Sequence, residues 1–274
     1  MNQAATGLTE SLHQFISTWK LLAKPFPQAD VTDKPGLTIT WANIPFVFYN
    51  TLFLTEQLSD AQTLKDRMQQ ARTYMRANQN PGWLVVSLDN LSGAAQEELT
   101  KIAEQEKFVP LPMVGMSGHI LPLEVKPHAP LRFVRISDKA TITDFADLNC
   151  MGYNLPIHTG RSLIHEHTFW HEHAYGFVAY EGDQPVSTAT AIVNEDFLLL
   201  FLVATLPEAR RKGYADAVIR HALNAAYEAT GIRRTVLHAS NDGAPVYLRM
   251  GYRPIGNFMG YLPAAEPETS ENPA

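Results

Sequence analysis

Ten residues, Phe197 to Leu206, form an apolar run broken only by Thr205, and Pro207 follows it directly. The run is half of what a membrane span needs, about 20 residues, and it lacks the alternation of a half-buried strand. A short continuous run of this kind reads as a central strand covered on both faces, which commits the surrounding chain to a sheet with helices packed on it. The residues after it supply such a helix. Ala215, Val218, Ile219, Ala222, Leu223 and Tyr227 recur at helical spacing, and Gly231 stops the pattern. Between strand and helix stands Arg210-Arg211-Lys212-Gly213-Tyr214-Ala215. Small residues at a helix mouth let a ligand approach the backbone. The free N–H groups of the first turn and the helix dipole favour an anion such as a pyrophosphate. Three cations at that end oppose the dipole, so they either face an anionic partner or form a solvated basic turn.

The flanking sequence extends this architecture. Leu131 to Ile136 alternates as a strand, and Asp138 or Thr141 caps a helix through about Met151. The spacing predicts a further helix from about Arg161 to Ala174. Gly176 to Tyr180, the turn Glu181-Gly182-Asp183 and Pro185 to Val193 read as a hairpin. Thr235 to Ser240 is a strand, Ala244 to Met250 a short helix ended by Gly251, and Tyr252 onward a last strand. The order β-α-α-β-β-β-α-β-α-β implies an α/β fold of the α+β, mixed-sheet kind. Lys126 to Pro130 holds two prolines in five residues and is expected as a domain boundary. Before it, helices are expected from about Thr9 to Leu22, Asp60 to Asn78 (capped by Ser59) and Ser92 to Glu106. Extended segments are expected at Leu37 to Ala42, Phe46 to Thr55, Trp83 to Leu88 and Phe108 to Met116. No Gly-rich phosphate loop appears there. The organisation is thus a smaller α/β unit over 1–126, a second over 131–262, and a Pro/Glu/Ser-rich tail over 263–274 expected to be disordered.

Composition narrows the partners. An apolar fraction of 45% with 18% charged residues supports a substantial core and not a disordered chain. The net charge is −6, and no Lys/Arg cluster is large enough to track a nucleic-acid backbone. The single cysteine, Cys150, excludes an intrachain disulfide and fits a reducing compartment. MNQAATGLTE at the start has neither the basic nor the apolar part of a signal peptide. The expectation is a cytoplasmic protein with no nucleic-acid and no membrane partner.

VATLPEARRKGYA, followed after its helix by LHASNDGAPVYLRMGYRPIG, resembles the GNAT superfamily of N-acetyltransferases, and the resemblance covers roughly Leu131 to Tyr261. It implies the GNAT acyltransferase fold, acetyl-CoA as co-substrate, no metal, and a small-molecule amine or a protein N-terminus as acceptor; a homodimer is compatible with it. By position, the resemblance assigns the backbone of Val203, Ala204 and Thr205 to the pantetheine arm. It assigns Arg210, Arg211, Lys212, Gly213, Tyr214 and Ala215 to the pyrophosphate, with Ala215 standing where many members have Gly. Asn241 would lie near the pantetheine, although it stands six residues before Tyr247 where members using an Asn often have seven. Tyr247, followed by Gly251-Tyr252, matches the family's tyrosine. WANIPFVFYN with the later PGWLVVS is similar to the N-terminal part of two-domain members, in which a degenerate acetyltransferase-like half precedes the active one and serves as scaffold or substrate wall.

Attack by an amine on a thioester needs a neutral amine, a donor for the oxyanion and a proton for the leaving thiolate. An alkylamine ionises near about 10, so a base must act at neutral pH. The Tyr247 phenol suits the acid, and a backbone N–H near Val203 or Ala204 suits the oxyanion. For the base, Glu195 and Asp196 are the acids at the strand's start and would work through a water relay.

HEHTFWHEH, His165 to His173, concentrates four of the ten histidines. Only His167 and His171 share a helical face at i,i+4, and the His-Glu-x-x-His zinc pattern is absent. A helix packed by Ile164 and Trp170 with a polar face, a lining for the acceptor amine, and a metal site all remain open here. A non-catalytic acyl-CoA-binding sensor would carry the same motifs. A nucleotide-phosphate binder is disfavoured because Gly-x-x-x-x-Gly-Lys-Ser/Thr does not occur.

Overall fold

The computed structural model describes residues 9–124, 131–165 and 167–264, with the side chains of 164–167 outside that set. The boundary expected at Lys126 to Pro130 and the tail beyond residue 264 also lie outside it. The first half contains α1 (Glu10–Ala23), β1 (Asp30–Lys34), β2 (Leu37–Trp41), β3 (Asn50–Leu54), α2 (Ala61–Ala77), β4 (Trp83–Ser87), α3 (Gly93–Gln105) and β5 (Phe108–Gly118). The second contains β6 (Leu131–Arg135), α4 (Lys139–Tyr153), α5 (Ile157–Gly160), α6 (His167–Glu172), β7 (Ala174–Glu181) and β8 (Gln184–Asn194). It ends with β9 (Phe197–Thr205), α7 (Tyr214–Thr230), β10 (Thr235–Ser240), α8 (Ala244–Arg249) and β11 (Arg253–Pro263).

Side chains set most helix starts. Thr9 accepts from the Leu12 N–H at the start of α1. Asp138 and Thr141 together form a capping box on α4. For α2 the cap is Asp60, not the expected Ser59: its carboxylate accepts from the Thr63 N–H at 2.7 Å. The expected helix from Arg161 to Ala174 is instead three short pieces, α5, a 3-10 turn over Arg161–His165, and α6. Ala174 already opens β7, because its neighbours pair with β8. β1 escapes a pattern search because its residues DVTDK are mostly exposed and polar on an edge.

All eleven strands join one mixed sheet in the order β1-β2-β3-β4-β11-β5-β10-β9-β8-β7-β6. The mixed α/β sheet with helices on its faces agrees with the expected fold class. The centre of the sheet is an exchange. β5 of the first half lies between β10 and β11 of the second, and β11 lies between β4 and β5 of the first. The sheet therefore runs unbroken past the expected boundary. Pro110 and Pro112 stand in β5 and face Tyr261 and Met259 of β11 in register. β10 pairs with β5 only from Met113 onward, so the missing N–H groups cost no bond on that side. α7 buries Val218, Ile219, Ala222 and Leu223 on one face of the second half, while α1 and α4 share a core through Phe15, Ile142 and Phe145.

Candidate active site

β9 and β10 run parallel but part early. Their register holds only Leu198↔Thr235 and Leu199↔Val236, although β9 continues to Thr205 and β10 to Ser240. The cause is a bulge in β9. The β8–β9 register slips between Thr188 and Thr190, and Leu202 takes a left-handed φ of 48°. A bulge bends its strand and increases the local twist. Leucine in that region is costly, by about 1–3 kcal/mol, and persists only where its surroundings impose it. Here a buried chain of hydrogen bonds does so. Asn149 Nδ2 of α4 donates to Thr188 Oγ1 at 3.1 Å, and Thr188 Oγ1 donates to the Leu202 carbonyl at 3.1 Å. Ser187 Oγ holds the Ala204 carbonyl at 2.9 Å in the same way.

The parted strands open a cleft of about 430 Å³. Leu199 to Val203 line one side and Leu237 to Ser240 the other. Tyr247 of α8 lines the cleft, and so does Tyr153 at the end of α4, whose hydroxyl donates to the Val203 carbonyl at 3.1 Å. Both phenols are protonated at neutral pH. Burial raises the Tyr247 phenol well above its ordinary value, with Tyr153 and Tyr252 as further causes. Tyr153 is 41% exposed, yet the concave surroundings still displace enough water to push its phenol up to about 12. His238 of β10 is a third polar group in the cleft. Its ring stacks on Phe15 at 3.8 Å, its Nε2 meets Ser11 Oγ at 3.3 Å, and its buried Nδ1 has no hydrogen-bond partner. Burial lowers its pKa to about 3, so the imidazole is neutral.

The far wall comes from the first half: Phe15, Trp19, Phe48 and Trp83 all line the cleft. Phe48 joins the halves, edge-on to Trp83 at 5.4 Å and to Tyr153 at 5.7 Å.

Beyond β9 the chain turns through Pro207–Ala209 and reaches α7. Arg211 and Gly213 both have positive φ, 64° and 81°, which curls the loop at the helix mouth. Gly213 is the N-cap and offers no side-chain bond, so the first N–H groups of α7 are uncapped by it. The Arg210 guanidinium ties this loop back, donating to the Thr205 carbonyl at 3.3 Å and the Gly152 carbonyl at 3.5 Å. Lys212 pairs with Glu181 at 3.7 Å, and Tyr214 donates to the same carboxylate at 2.5 Å. Ala215 follows in the first turn of α7. An uncapped helix start with adjacent cations is a site for a phosphate group.

The structure thus gathers Val203 and Tyr247 into the cleft and sets Ala204, Thr205 and Arg210 to Ala215 along its continuation. Asn241 lies exposed in the turn after β10, outside the cleft lining. Glu195 is not brought in either. It stands at the β8–β9 turn, the opposite end of β9 from the bulge, and meets His13 at 3.1 Å. Leu202 of the bulge follows it by seven residues along an extended strand, about 3.3 Å each, too far for one relayed water. His171 is exposed and outside the cleft lining, while Trp170 beside it is buried against Phe145 at 5.1 Å. The His167 side chain lies outside the described residues. Among the described residues, no three His, Cys, Asp or Glu side chains are grouped to hold a metal. Sequence reasoning missed Tyr153, His238 and the aromatic wall. The signal for His238 was a polar residue at an inward position of the strand TVLHAS.

The mixed sheet with helices on its faces matches the GNAT fold. A family model described as an acetyltransferase (GNAT) domain matches residues 171–254, from α6 to the start of β11. In structure the chain is similar to a GCN5-related N-acetyltransferase from Kribbella flavida, with TM-score 0.64 and 13% identity over 92% of this chain and 95% of that one. It is also similar to a functionally unknown conserved protein from Staphylococcus epidermidis, with TM-score 0.65 and 14% identity over 89% and 97%. A tandem GNAT protein from the clavulanic acid biosynthesis pathway superposes with TM-score 0.51 and 12% identity over 95% and 98%. No curated protein matches this chain in sequence.

Proposed function

We propose that this protein is an acetyl-CoA-dependent N-acetyltransferase that passes the acetyl group to a primary amine by direct attack on the thioester. The observation that carries the reading is the parting of β9 from β10, which opens toward the uncapped start of α7 with Tyr247 in the same cleft. The backbone of Val203, Ala204 and Thr205 pairs with the pantetheine arm. Arg210, Arg211, Lys212, Gly213, Tyr214 and Ala215 hold the pyrophosphate. Asn241 stands exposed in the turn after β10, outside the cleft lining, and takes no part in this reading.

The amine nitrogen bonds to the thioester carbonyl carbon, and the oxygen takes the developing charge toward a backbone N–H at the bulge. The C–S bond then breaks, and the thiolate takes the Tyr247 proton. The proton that the amine gives up leaves through water at the mouth of the cleft, since burial holds His238 neutral down to about pH 3 and closes off its Nδ1. Glu195, to which the sequence assigns the base role, stands outside the cleft lining and takes no part in this reading. Tyr153 and the Asn149–Thr188 chain act as positioning groups that hold the bulge.

The first half serves as a degenerate acetyltransferase-like unit that walls the acceptor side. Its topology supports this, since β3–α2–β4 repeats the strand–helix–strand order of β9–α7–β10. Among the described residues no helix is long and apolar enough to cross a membrane. That fits the cytoplasmic setting proposed on the single cysteine, which is buried.

Thiol release from acetyl-CoA in the presence of a panel of amines tests the reading. Amine-dependent release, with the acetylated amine found by mass spectrometry, is the expected result. Saturable acetyl-CoA binding without release from any amine would instead mark a non-catalytic acyl-CoA sensor.

A further inference from the structure

We propose that the acceptor is an arylalkylamine: one primary amine carried on an uncharged aromatic body. This rests on the acetyl-transfer reading above. Three observations carry it.

The first is the charge of the cleft. Among the described residues, none that lines it is an Asp, Glu, Lys or Arg. A polyamine or an amino sugar brings several ammonium groups, and each would be buried without a carboxylate partner, at a cost of several kcal/mol per ion by the usual measure. An amino acid brings a carboxylate, and no guanidinium or ammonium lines the cleft to receive it. A single amine is different, because burial itself disfavours its charged form.

The second is how the first-half indoles are presented. Trp19 Nε1 donates to the Phe48 carbonyl at 2.7 Å, and Trp83 Nε1 donates to Thr51 Oγ1 at 2.7 Å. Both indoles are buried, at 4% and 2% exposure, so they back the wall without turning a polar edge to the cleft, and the part-exposed rings a ligand meets are those of Phe48 and Phe201. The third is the geometry of that surface. Trp19 stands edge-on to Phe201 at 5.1 Å, and Phe48 stands edge-on to Trp83 and to Tyr153. Rings crossed in this way leave faces and edges to which a further ring packs edge-to-face. An amine on such a body is drawn toward ring faces before it loses its proton.

The full chain is tested with 2-phenylethylamine, spermidine and L-alanine in two independent readouts. One is kcat/KM from thiol release with acetyl-CoA. The other is equilibrium binding by calorimetry in the presence of free CoA, which needs no turnover. The proposal expects 2-phenylethylamine to lead both by at least about ten-fold. It expects Phe48→Ala to weaken 2-phenylethylamine binding by about ten-fold and to move the acetyl-CoA Kd by less than about two-fold. Phe48→Leu, which keeps most of the apolar volume and safeguards the fold, should recover part of the loss. Spermidine or L-alanine in the lead, or equal binding of all three, overturns the proposal. Selective binding of 2-phenylethylamine with no thiol release keeps the ligand class and removes the acetyl-transfer reading. Turnover led by spermidine does the reverse.

Discussion

β3–α2–β4 and β9–α7–β10 are both parallel crossovers, and α2 and α7 are both 17 residues long. They differ at the mouth of the helix. In the first, β3 stays paired with β4 up to its last residue, Leu54 opposite Val86. The pairing then resumes as a bridge between Leu58 and Leu91, with Leu58 N–H donating to the Asn90 carbonyl and Ser92 N–H to the Leu58 carbonyl, both at 2.9 Å. Asp60 fills the helix start with a carboxylate of its own. In the second, β9 bulges away from β10, and Gly213 leaves the helix start without a side-chain cap. A carboxylate caps the first helix start directly, whereas the carboxylates near the second, Glu181 and Asp216, are taken up by Lys212, Tyr214 and Arg220. One crossover is sealed and the other is open, and the difference lies in a handful of residues at two junctions.

Several variants would break or sharpen that contrast. The largest effect is expected from Tyr247→Phe, which keeps the ring in the open crossover and removes its proton. It should lower kcat by about 100-fold with little change in acetyl-CoA Kd, and steady-state kinetics beside calorimetry would read both. Gly213→Val places a β-branched residue at a φ of 81° on the helix mouth. It should raise the acetyl-CoA Kd by about 30-fold while Tm shifts by only a few degrees. Thr188→Val cuts the tie on the Leu202 carbonyl, and kcat should fall about five-fold as the bulge loosens. Asp60→Gly makes the sealed helix start resemble the open one. Tm should drop slightly, and acetyl-CoA stoichiometry should stay unchanged, because the strands there remain zipped. A second equivalent bound would show that the cap alone distinguishes the two crossovers.

The smallest effect concerns pH. The unfolded chain protonates His238 near 6.5, but the folded protein only near about 3. Burial of the neutral ring therefore contributes stability that is complete above pH 6.5 and is lost as pH falls toward 3. Thermal melts should show the wild type losing Tm more steeply than His238→Gln between pH 7 and pH 4.5.

What the sequence revealed of this site follows from how local each signal is. The strand Phe197–Thr205, the basic turn and Gly213 lie in one stretch, and each constrains the next, so the open crossover was legible. The bulge was not, because leucine carries no preference for positive φ and Leu202 adopts it under tertiary restraint from Asn149 and Thr188. The capping signal near α2 was read one residue early, since Ser59 and Asp60 both suit an N-cap and only the backbone at Asp60, at ψ 128°, selects between them. The helix expected from Arg161 to Ala174 failed because β7 claims its end for pairing. The aromatic wall and His238 were invisible for a different reason. Phe15, Phe48 and Trp83 meet β10 only through the folded sheet, and no spacing along the chain encodes that meeting.

The exchange of β5 and β11 at the centre of the sheet also sets when the molecule is complete. A chain made from its N-terminus has β4 and β5 long before β11 exists, so the slot between them presents two unpaired strand edges throughout synthesis of the second half. β11, which closes the first half, is made after every other described strand. Pairs such as Met113 with Phe258 lie 145 residues apart in a chain of 274, so the centre of the sheet forms only through non-local contacts. For the same reason a cut between the halves yields two fragments that each lack an interior strand, and each finds that strand only in the other.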